Sequence, residues 1–149
     1  VAYLTSDEAS KAVQTPSVKR KEPSSENHWV WRLRMAERIA AEIDPAKSGV
    51  AALYVIGSTK NGTAGPASDI DLIVHSKGTD RQKERVEYWF EAWSSCLDEI
   101  NHMRTGYRTG GLLDVHYITD NDIKNQTSYA VRIGAATDPA RQLKLGKPT

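Results

Sequence analysis

The sequence contains very little cysteine, since Cys96 is the single cysteine among its 149 residues. A lone cysteine cannot form a disulfide within its own chain, which excludes the small disulfide-stapled scaffolds and favours a reducing compartment. Long hydrophobic runs are also missing, since the longest have the length of a strand rather than of a membrane span. No charged segment followed by an apolar one opens the chain as a signal peptide would. We therefore expect a soluble cytoplasmic protein without membrane contact.

The sequence also lacks an excess of charge of one sign, because 20 basic residues stand against 19 acidic ones and the formal net charge is +1. This balance excludes a broad electrostatic footprint for nucleic acids, so a bound polyanion has to be held by local groups. What the chain does have is 39% hydrophobic residues, enough for the core of one compact domain. It begins with Val1 instead of methionine, as expected of a piece of a longer polypeptide or of a trimmed chain.

Two regions of the chain differ in composition. Residues 1–27 are rich in Ser, Thr, Lys and Glu, contain two prolines and show no apolar period, which predicts a linker or weakly ordered arm. Residues 28–149 are predicted to form the folded domain, because apolar residues recur there at the spacing of helices and strands.

The folded region alternates between helical and strand patterns. Helices are predicted over 29–43, 81–103 and 121–133, with a short final helix over 140–145, and strands over 50–56, 70–75 and 112–118. Val30 begins the apolar stripe of the first helix, and Thr79 and Gly106 supply the start and stop signals of the long one. Trp89 and Trp93 coincide with an apolar stripe, which indicates core packing rather than a stacking platform. This order of elements predicts an α/β fold with a small sheet.

The stretch YVIGSTKNGTAGPASDIDLIV, residues 54–74, has a Gly-Ser pair after one predicted strand and two aspartates at the start of the next. Side chains alternate along a strand, so Asp69 and Asp71 lie on one face and Ile70 on the other. Two neighbouring carboxylates repel each other and bind protons more tightly unless a cation lies between them. Mg²⁺ prefers oxygen ligands and is usually held by one or two carboxylates together with substrate phosphates. The aspartate pair therefore predicts a magnesium site.

Gly57 and Ser58 follow the first predicted strand directly. Glycine lets the backbone approach a ligand closely, and backbone amides at a strand-to-helix turn, together with the serine hydroxyl, can donate to an anion. Lys60 lies just beyond Ser58 and is predicted as a further phosphate contact, the alternative being a solvated lysine. This segment predicts a phosphate-binding turn across the loop from the aspartates.

A third acid, Asp114, lies in the predicted strand LLDVHYI, where alternation puts it on one face with His116. An isolated aspartate in a buried strand is costly. Beside Asp69 and Asp71 it would complete a cluster that can bind two ions and orient an attacking hydroxyl. His75 and His116 are predicted to flank the cleft between these aspartates and the Gly-Ser turn. They are interpreted as hydrogen-bonded strand histidines rather than ligands.

These motifs resemble the signature of the polymerase-β-type nucleotidyltransferase superfamily. That signature begins with a hydrophobic residue, a glycine, and then either glycine or serine. After a spacer it continues with an acidic residue, a hydrophobic one, a second acidic residue and a second hydrophobic one. Residues 56–58 and 69–72 carry the resemblance, and Asp114 is similar to the third acidic position of that family. The small size is similar to that of minimal members. The resemblance implies an α+β nucleotidyltransferase fold, with a small mixed sheet flanked by helices.

The resemblance also implies an enzyme that uses Mg²⁺ to move a nucleoside monophosphate from a nucleoside triphosphate to an acceptor hydroxyl, with release of pyrophosphate. In this role Gly57 and Ser58 would hold the triphosphate. Asp69 and Asp71 would coordinate two Mg²⁺ ions. Asp114 would bind one of these ions and help to activate the acceptor hydroxyl. The alternatives are a catalytically silent nucleotide-sensing or regulatory domain of a larger protein, and a nucleotidylating regulator that acts on a partner protein.

The sequence departs from the family pattern in three places. The loop TKNGTAGPAS contains one cation, Lys60, where minimal members often have arginines. The glycine-rich extended signature of tRNA-terminus-adding enzymes is absent, so a protein or small-molecule acceptor is favoured over RNA. No sizeable helical domain follows in this sequence, so we expect a fused domain or a partner subunit to select the acceptor.

Overall fold

The structure, a computed structural model, describes residues 26–146. The arm predicted over 1–27 lies outside the described residues except for its last two, which begin the first helix. The helices are α1 (Glu26–Ala41), α2 (Pro45–Ser48), α3 (Gly57–Asn61), α4 (Asp80–Thr105), α5 (Asp120–Asn125) and a 3₁₀ helix (Ser128–Arg132). The strands are β1 (Val50–Ile56), β2 (Ile70–Ser76), β3 (Leu113–Ile118) and β4 (Arg141–Leu143).

The strands form one mixed sheet in the order β3-β2-β1-β4. β1 runs antiparallel to both of its neighbours, whereas β2 and β3 are parallel and are joined by the long helix α4. A parallel pair needs such a crossover, because the chain has to return to the same end of the sheet. The predicted α+β architecture, a small mixed sheet flanked by helices, is confirmed.

The two faces of the sheet are covered unequally. One face packs against α1 and α4 and contains most of the core, including Ile70 and Leu72. The other face has a smaller cluster, formed by Ile56, Ile73, Ile118 and Ala130 of the 3₁₀ helix. Because side chains alternate along β2, Asp71 lies on the same face as Ile73. The acidic residues are therefore on the more thinly covered face.

Helix α4 has the predicted boundary signals. Thr79 Oγ1 accepts a hydrogen bond from the Gln82 N–H at 3.2 Å, and Gln82 Oε1 accepts one from the Thr79 N–H at 2.9 Å. Gly106 ends the helix in the left-handed conformation, with φ 83°. Trp89 and Trp93 pack against the core, as predicted. Their rings meet edge to face.

The buried face of α1 differs from the predicted stripe only at its first residue, since Leu33, Ala36 and Ile39 are buried as predicted. Val30 was expected on the apolar side, but its side chain is exposed, whereas Arg32 is completely buried. Arg32, Ala36 and Ile39 share a face at helical spacing and point towards the sheet and the loop after α3. The prediction for Val30 is wrong because polar partners inside the domain draw Arg32 inward.

The continuous helix predicted over 121–133 is also wrong. α5 ends at Asn125, and both Gln126 and Ser128 have a left-handed backbone, with φ 50° and 55°. This bend lets the following 3₁₀ helix place Ala130 against the second face of the sheet. Burial of an apolar residue on the sheet thus outweighs the helical pattern of the local sequence.

The short helix predicted over 140–145 is a strand, β4. It pairs antiparallel with β1, with Leu143 opposite Leu53, and Leu143 is buried in the main core. Without this partner the backbone N–H and C=O groups on that side of β1 would be unpaired. Strand pairing therefore overrides local helix propensity. Within residues 26–146, none of the helices combines the length and apolar character that crossing a membrane requires.

Asp98 connects α4 to the loop that leads into β3. Its Oδ1 accepts hydrogen bonds from the Thr109 N–H at 2.8 Å and from the Thr109 hydroxyl at 2.9 Å. Burial raises the pKa of Asp98, but these bonds and one from the Gly110 N–H lower it more, so the pKa lies below its ordinary value. We expect Asp98→Ala to reduce the free energy of unfolding at pH 7 by about 1 kcal/mol, because the Thr109 donors lose their acceptor.

The effect of Asp98→Ala should depend on pH. Since the folded-state pKa is lowered, the stabilisation by the carboxylate is complete above the unfolded-state pKa of about 3.9 and is lost as the pH falls through the folded-state pKa. Thermal unfolding at pH 7 and pH 3 should therefore show a smaller difference between wild type and variant at pH 3. Glu84→Ala, an exposed change on the same helix, is the control. An equal or larger difference for Asp98→Ala at pH 3 contradicts this account.

Candidate functional site

Three acidic residues meet where β2 and β3 begin. Asp71 is the second residue of β2 and is paired in register with Asp114 of β3, while Asp69 directly precedes β2. Parallel pairing puts Asp71 and Asp114 side by side on the same face of the sheet. The side chain of Asp71 is 25% exposed and that of Asp114 is 51% exposed, so the pair runs from the protein interior out to solvent.

The acids repel one another, as predicted. Burial, the charge of Asp69, and a hydrogen bond and the charge of Asp114 together raise the pKa of Asp71 to about 7, although Arg132 opposes this. Burial and the charge of Asp114 also raise the pKa of Asp69, against the opposing charge of His116. A cation bound among the three carboxylates would relieve this repulsion.

The Gly-Ser turn lies directly against this cluster. Gly57 begins α3 with φ 70°, a backbone conformation that L side chains rarely adopt. A Cβ atom at this position would lie 2.6 Å from Asp71 Oδ2, far inside van der Waals contact. The left-handed backbone therefore favours glycine at residue 57, and a larger residue would also force the Asp71 carboxylate to move. The Gly57 backbone forms one wall of the site. Ser58 follows it and is half-buried.

Lys60, predicted as a phosphate contact, is paired with the loop before β4. Its Nζ lies 2.6 Å from Asp138 Oδ1 and donates to the Pro139 carbonyl at 2.6 Å. Arg132 donates to the other oxygen of Asp138 at 2.8 Å. The charge of Lys60 is thus balanced by Asp138, and its contact with phosphate stays a prediction.

His116 joins the acidic cluster. The sequence predicted its place beside Asp114 but favoured a hydrogen-bonded histidine over a ligand. Its Nε2 lies 3.3 Å from Asp114 Oδ2 and 3.9 Å from Asp71 Oδ1, and all three residues offer ligand atoms within 4.8 Å of one another. The imidazole stacks on Tyr129 of the 3₁₀ helix, with ring centroids 3.7 Å apart. His116 lies two residues after Asp114 in the sequence, and this spacing predicts that the two side chains share a face of β3. The distance to Asp71, however, depends on the β2–β3 register.

His75, the other histidine of the predicted cleft, has a different environment. Its Nε2 lies 2.7 Å from Asp120 Oδ1, at the opposite end of β2. This is a short hydrogen bond, so the interpretation of His75 as a hydrogen-bonded strand histidine is confirmed. The prediction that His75 flanks the cleft is wrong, because it lies at the other end of β2 from Asp71.

Arg32 is a residue near the site that the sequence interpretation missed. Its Nε donates to the Ser68 carbonyl at 3.0 Å, and its Nη2 donates to the Pro66 carbonyl at 3.3 Å and to Asn101 Oδ1 at 2.8 Å. These bonds tie the loop that delivers Asp69 to α1 and α4. A charged residue on the buried side of an otherwise apolar helix face was the available signal.

The donor set suits a hard divalent cation. The carboxylate oxygens of Asp69, Asp71 and Asp114 are the kind of ligand that Mg²⁺ prefers, and their mutual repulsion favours a bound positive charge. The Gly57 backbone lies so close to Asp71 that an added Cβ would collide with its carboxylate. Chemically, the site combines carboxylates that could hold a metal ion with a half-buried Gly-Ser turn beside them.

A comparison with protein families matches residues 33–109 to the nucleotidyltransferase domain. The matched segment runs from within α1 to the loop after α4, so it includes Gly57, Ser58, Asp69 and Asp71 but ends before Asp114. A search of curated proteins gave no match. Because the family match spans more than half of the sequence and coincides with the Gly-Ser turn and the acidic pair, the chain belongs to the nucleotidyltransferase domain family.

Proposed function

We propose that this domain is an active nucleotidyltransferase that uses Mg²⁺ to transfer a nucleoside monophosphate from a nucleoside triphosphate to an acceptor hydroxyl. The observation that carries the proposal is the contact of the Gly57 turn with Asp71, which is paired in register with Asp114. The repulsion among three neighbouring carboxylates raises the free energy of the metal-free protein. A bound cation would offset this repulsion, which explains why the three acids lie together.

Each acid has a proposed part in this chemistry. Asp69, Asp71 and Asp114 would hold Mg²⁺, with two ions as the proposed number. When bound, Mg²⁺ lowers the pKa of the acceptor hydroxyl and stabilises the charge on the departing pyrophosphate. Asp114 is the more exposed member of the register pair and is therefore proposed to accept a hydrogen bond from the acceptor hydroxyl and align it with the α-phosphorus.

The turn residues are proposed to bind the triphosphate. Gly57 has no side chain, so phosphate oxygens could approach the backbone of the turn closely. Ser58 would donate its hydroxyl to the phosphates. Lys60 would add a positive charge after exchanging Asp138 for phosphate, since both are anionic partners of its ammonium group.

The acceptor is proposed to be a protein or a small molecule rather than RNA, and a fused domain or partner subunit is proposed to select it. The net charge of +1 supports this, because it provides no broad surface for a polyanion. We place the protein in the cytoplasm, where the exposed thiol of Cys96 would remain reduced.

The position of a radioactive label tests the reaction class. The protein is incubated with Mg²⁺, each of the four nucleoside triphosphates labelled at the α- or γ-phosphorus, and separate protein, RNA and small-molecule fractions of a cell extract. We expect the α-label to appear on an acceptor together with released pyrophosphate, and the γ-label to remain in pyrophosphate. Transfer of the γ-label would mean phosphoryl transfer and would refute the proposal.

Asp114→Asn separates chemistry from nucleotide binding. We expect this variant to lose transfer while its affinity for the nucleoside triphosphate changes little, because Asp114 is assigned to the acceptor side. Asp80→Asn removes the same charge at the exposed start of α4 and is the matched control. Nucleotide binding without pyrophosphate release in the wild type, in every fraction, would instead favour the silent nucleotide-sensing domain.

A further inference from the structure

We propose that His116 is a metal ligand in this site, which gives the site a mixed nitrogen and oxygen donor set that favours a first-row transition-metal ion such as Mn²⁺ over Mg²⁺. The inference rests on the proposed function for the presence of a metal here, and it adds a ligand outside the matched family segment.

The spacing of the donor atoms is that of ligands around one ion. Ligands about 2.1 Å from an octahedral ion are about 3.0 Å apart when adjacent and about 4.2 Å apart when opposite. His116 Nε2 lies 3.3 Å from Asp114 Oδ2 and 3.9 Å from Asp71 Oδ1, both within this range. The three side chains come from two paired strands, so the backbone of the sheet fixes their separation.

A comparison of two histidines on neighbouring strands supports a ligand role over an ordinary ion pair. His75 approaches Asp120 to 2.7 Å, the length of a charge-assisted hydrogen bond. His116 remains 3.3 Å from its nearer carboxylate, although it is held between two of them and its side chain is only 18% exposed. The wider spacing leaves room for an ion between the imidazole and the acids.

Tyr129 fixes the orientation of the imidazole. Its ring stacks on His116 with an interplanar angle of 21°, so it covers a face of the imidazole and leaves the ring edge, where the Nε2 lone pair lies, open. Fixing the ring in this way is what partners of ligating histidines usually do through a hydrogen bond. We assign Tyr129 as a positioning residue, which acts on the metal through His116.

The choice of metal follows from the nitrogen donor. Mg²⁺ prefers oxygen ligands, whereas affinity for sites that contain imidazole rises along the first transition series from Mn²⁺ onwards. Replacing His116 should therefore weaken transition-metal binding more than Mg²⁺ binding. A carboxylate-only site would show no such difference.

The test uses the full chain with Mn²⁺ as the probe. Pulsed electron paramagnetic resonance detects a ¹⁴N nucleus bound to Mn²⁺, and titration gives the dissociation constants of Mn²⁺ and Mg²⁺. We expect ¹⁴N modulation in the wild type and in His75→Gln, the matched control, and its loss in His116→Gln. His116→Gln should also lower Mn²⁺ affinity about tenfold, as losses around metal sites commonly do, and Mg²⁺ affinity much less.

Tyr129 variants provide the second arm. Tyr129→Phe keeps a stacking ring and should bind Mn²⁺ like the wild type, whereas Tyr129→Ala should weaken Mn²⁺ binding severalfold with little effect on Mg²⁺. If both variants bind Mn²⁺ equally well, the positioning role is wrong.

Asp71→Asn distinguishes failure of this inference from failure of the proposed function. If Asp71→Asn leaves Mn²⁺ binding unchanged, the acids do not form a metal site and both fail. If Asp71→Asn abolishes binding while ¹⁴N modulation is absent from the wild type or persists in His116→Gln, only the ligand role of His116 is overturned. Absence of ¹⁴N modulation from the wild type overturns the ligand role of His116 even if His116→Gln does not fold.

Discussion

Asp71→Asn is expected to abolish nucleotidyl transfer and at the same time to stabilise the metal-free protein. Loss of a central metal ligand removes several kcal/mol of transition-state stabilisation, so we expect activity to fall by at least about a thousandfold. In the metal-free state the Asp71 carboxylate is destabilised by burial and by the charges of Asp69 and Asp114. The neutral amide of Asn removes this repulsion, so the unfolding temperature should rise by a few degrees at pH 8.

Thermal unfolding with and without Mg²⁺ measures both effects. A ligand that binds the folded state stabilises it, so Mg²⁺ should raise the unfolding temperature of the wild type but not of Asp71→Asn. Asp80→Asn, with the same change in charge outside the site, should respond to Mg²⁺ like the wild type. If Asp71→Asn is less stable than the wild type without metal, or retains the response to Mg²⁺, the assignment of Asp71 is wrong.

Gly57→Ala is expected to damage both stability and activity through one methyl group. The added Cβ would lie 2.6 Å from Asp71 Oδ2, and the residue would have to keep φ near 70° or change the turn. A non-glycine residue held in a sparsely populated backbone region costs about 1–3 kcal/mol, so we expect a loss of unfolding free energy of this size. The displaced carboxylate should also lower Mg²⁺ affinity at least about tenfold.

Gly65→Ala is the matched control for this prediction, because it makes the same chemical change in the loop after α3. A Cβ at Gly65 meets only Ser68 Oγ, at 4.0 Å, and Gly65 is not among the residues with positive φ. We expect its unfolding free energy in urea to be unchanged or raised by up to about 1 kcal/mol, and its activity to be retained. Equal effects of the two substitutions would show that the contact of Gly57 with Asp71 has no special importance.

Local signals in the sequence were enough to predict the helices and strands that position the site. The strand β1 has the bounds predicted from its continuous apolar run, and α4 begins and ends within two residues of the prediction, because its cap residues are adjacent to it in the chain. The alternation of β2 also placed Ile70 in the main core correctly. Each of these predictions depends on residues a few positions apart, over which side-chain periodicity is informative.

Predictions that depended on distant partners failed or were incomplete. β4 was predicted as a helix because its sequence does not show that β1 has an unpaired edge for it to bind. The role of Arg32 has no local signal, because two of its acceptors are carbonyls of a distant loop and a third is the side chain of Asn101 on α4. The pairing of Lys60 with Asp138 likewise depends on how the C-terminal segment folds over α3.

The sequence by itself determined the chemistry available to this protein: a Gly-Ser turn, an aspartate pair whose repulsion a cation would relieve, and a third acid in a later strand. Only the tertiary structure decided that Asp114 is opposite Asp71 and that His116, stacked on Tyr129, completes the cluster. The reason is physical. Alternation along a strand fixes which face a side chain occupies, but the hydrogen-bond register between β2 and β3 fixes its neighbours, and a shift of one residue would move them to the other face.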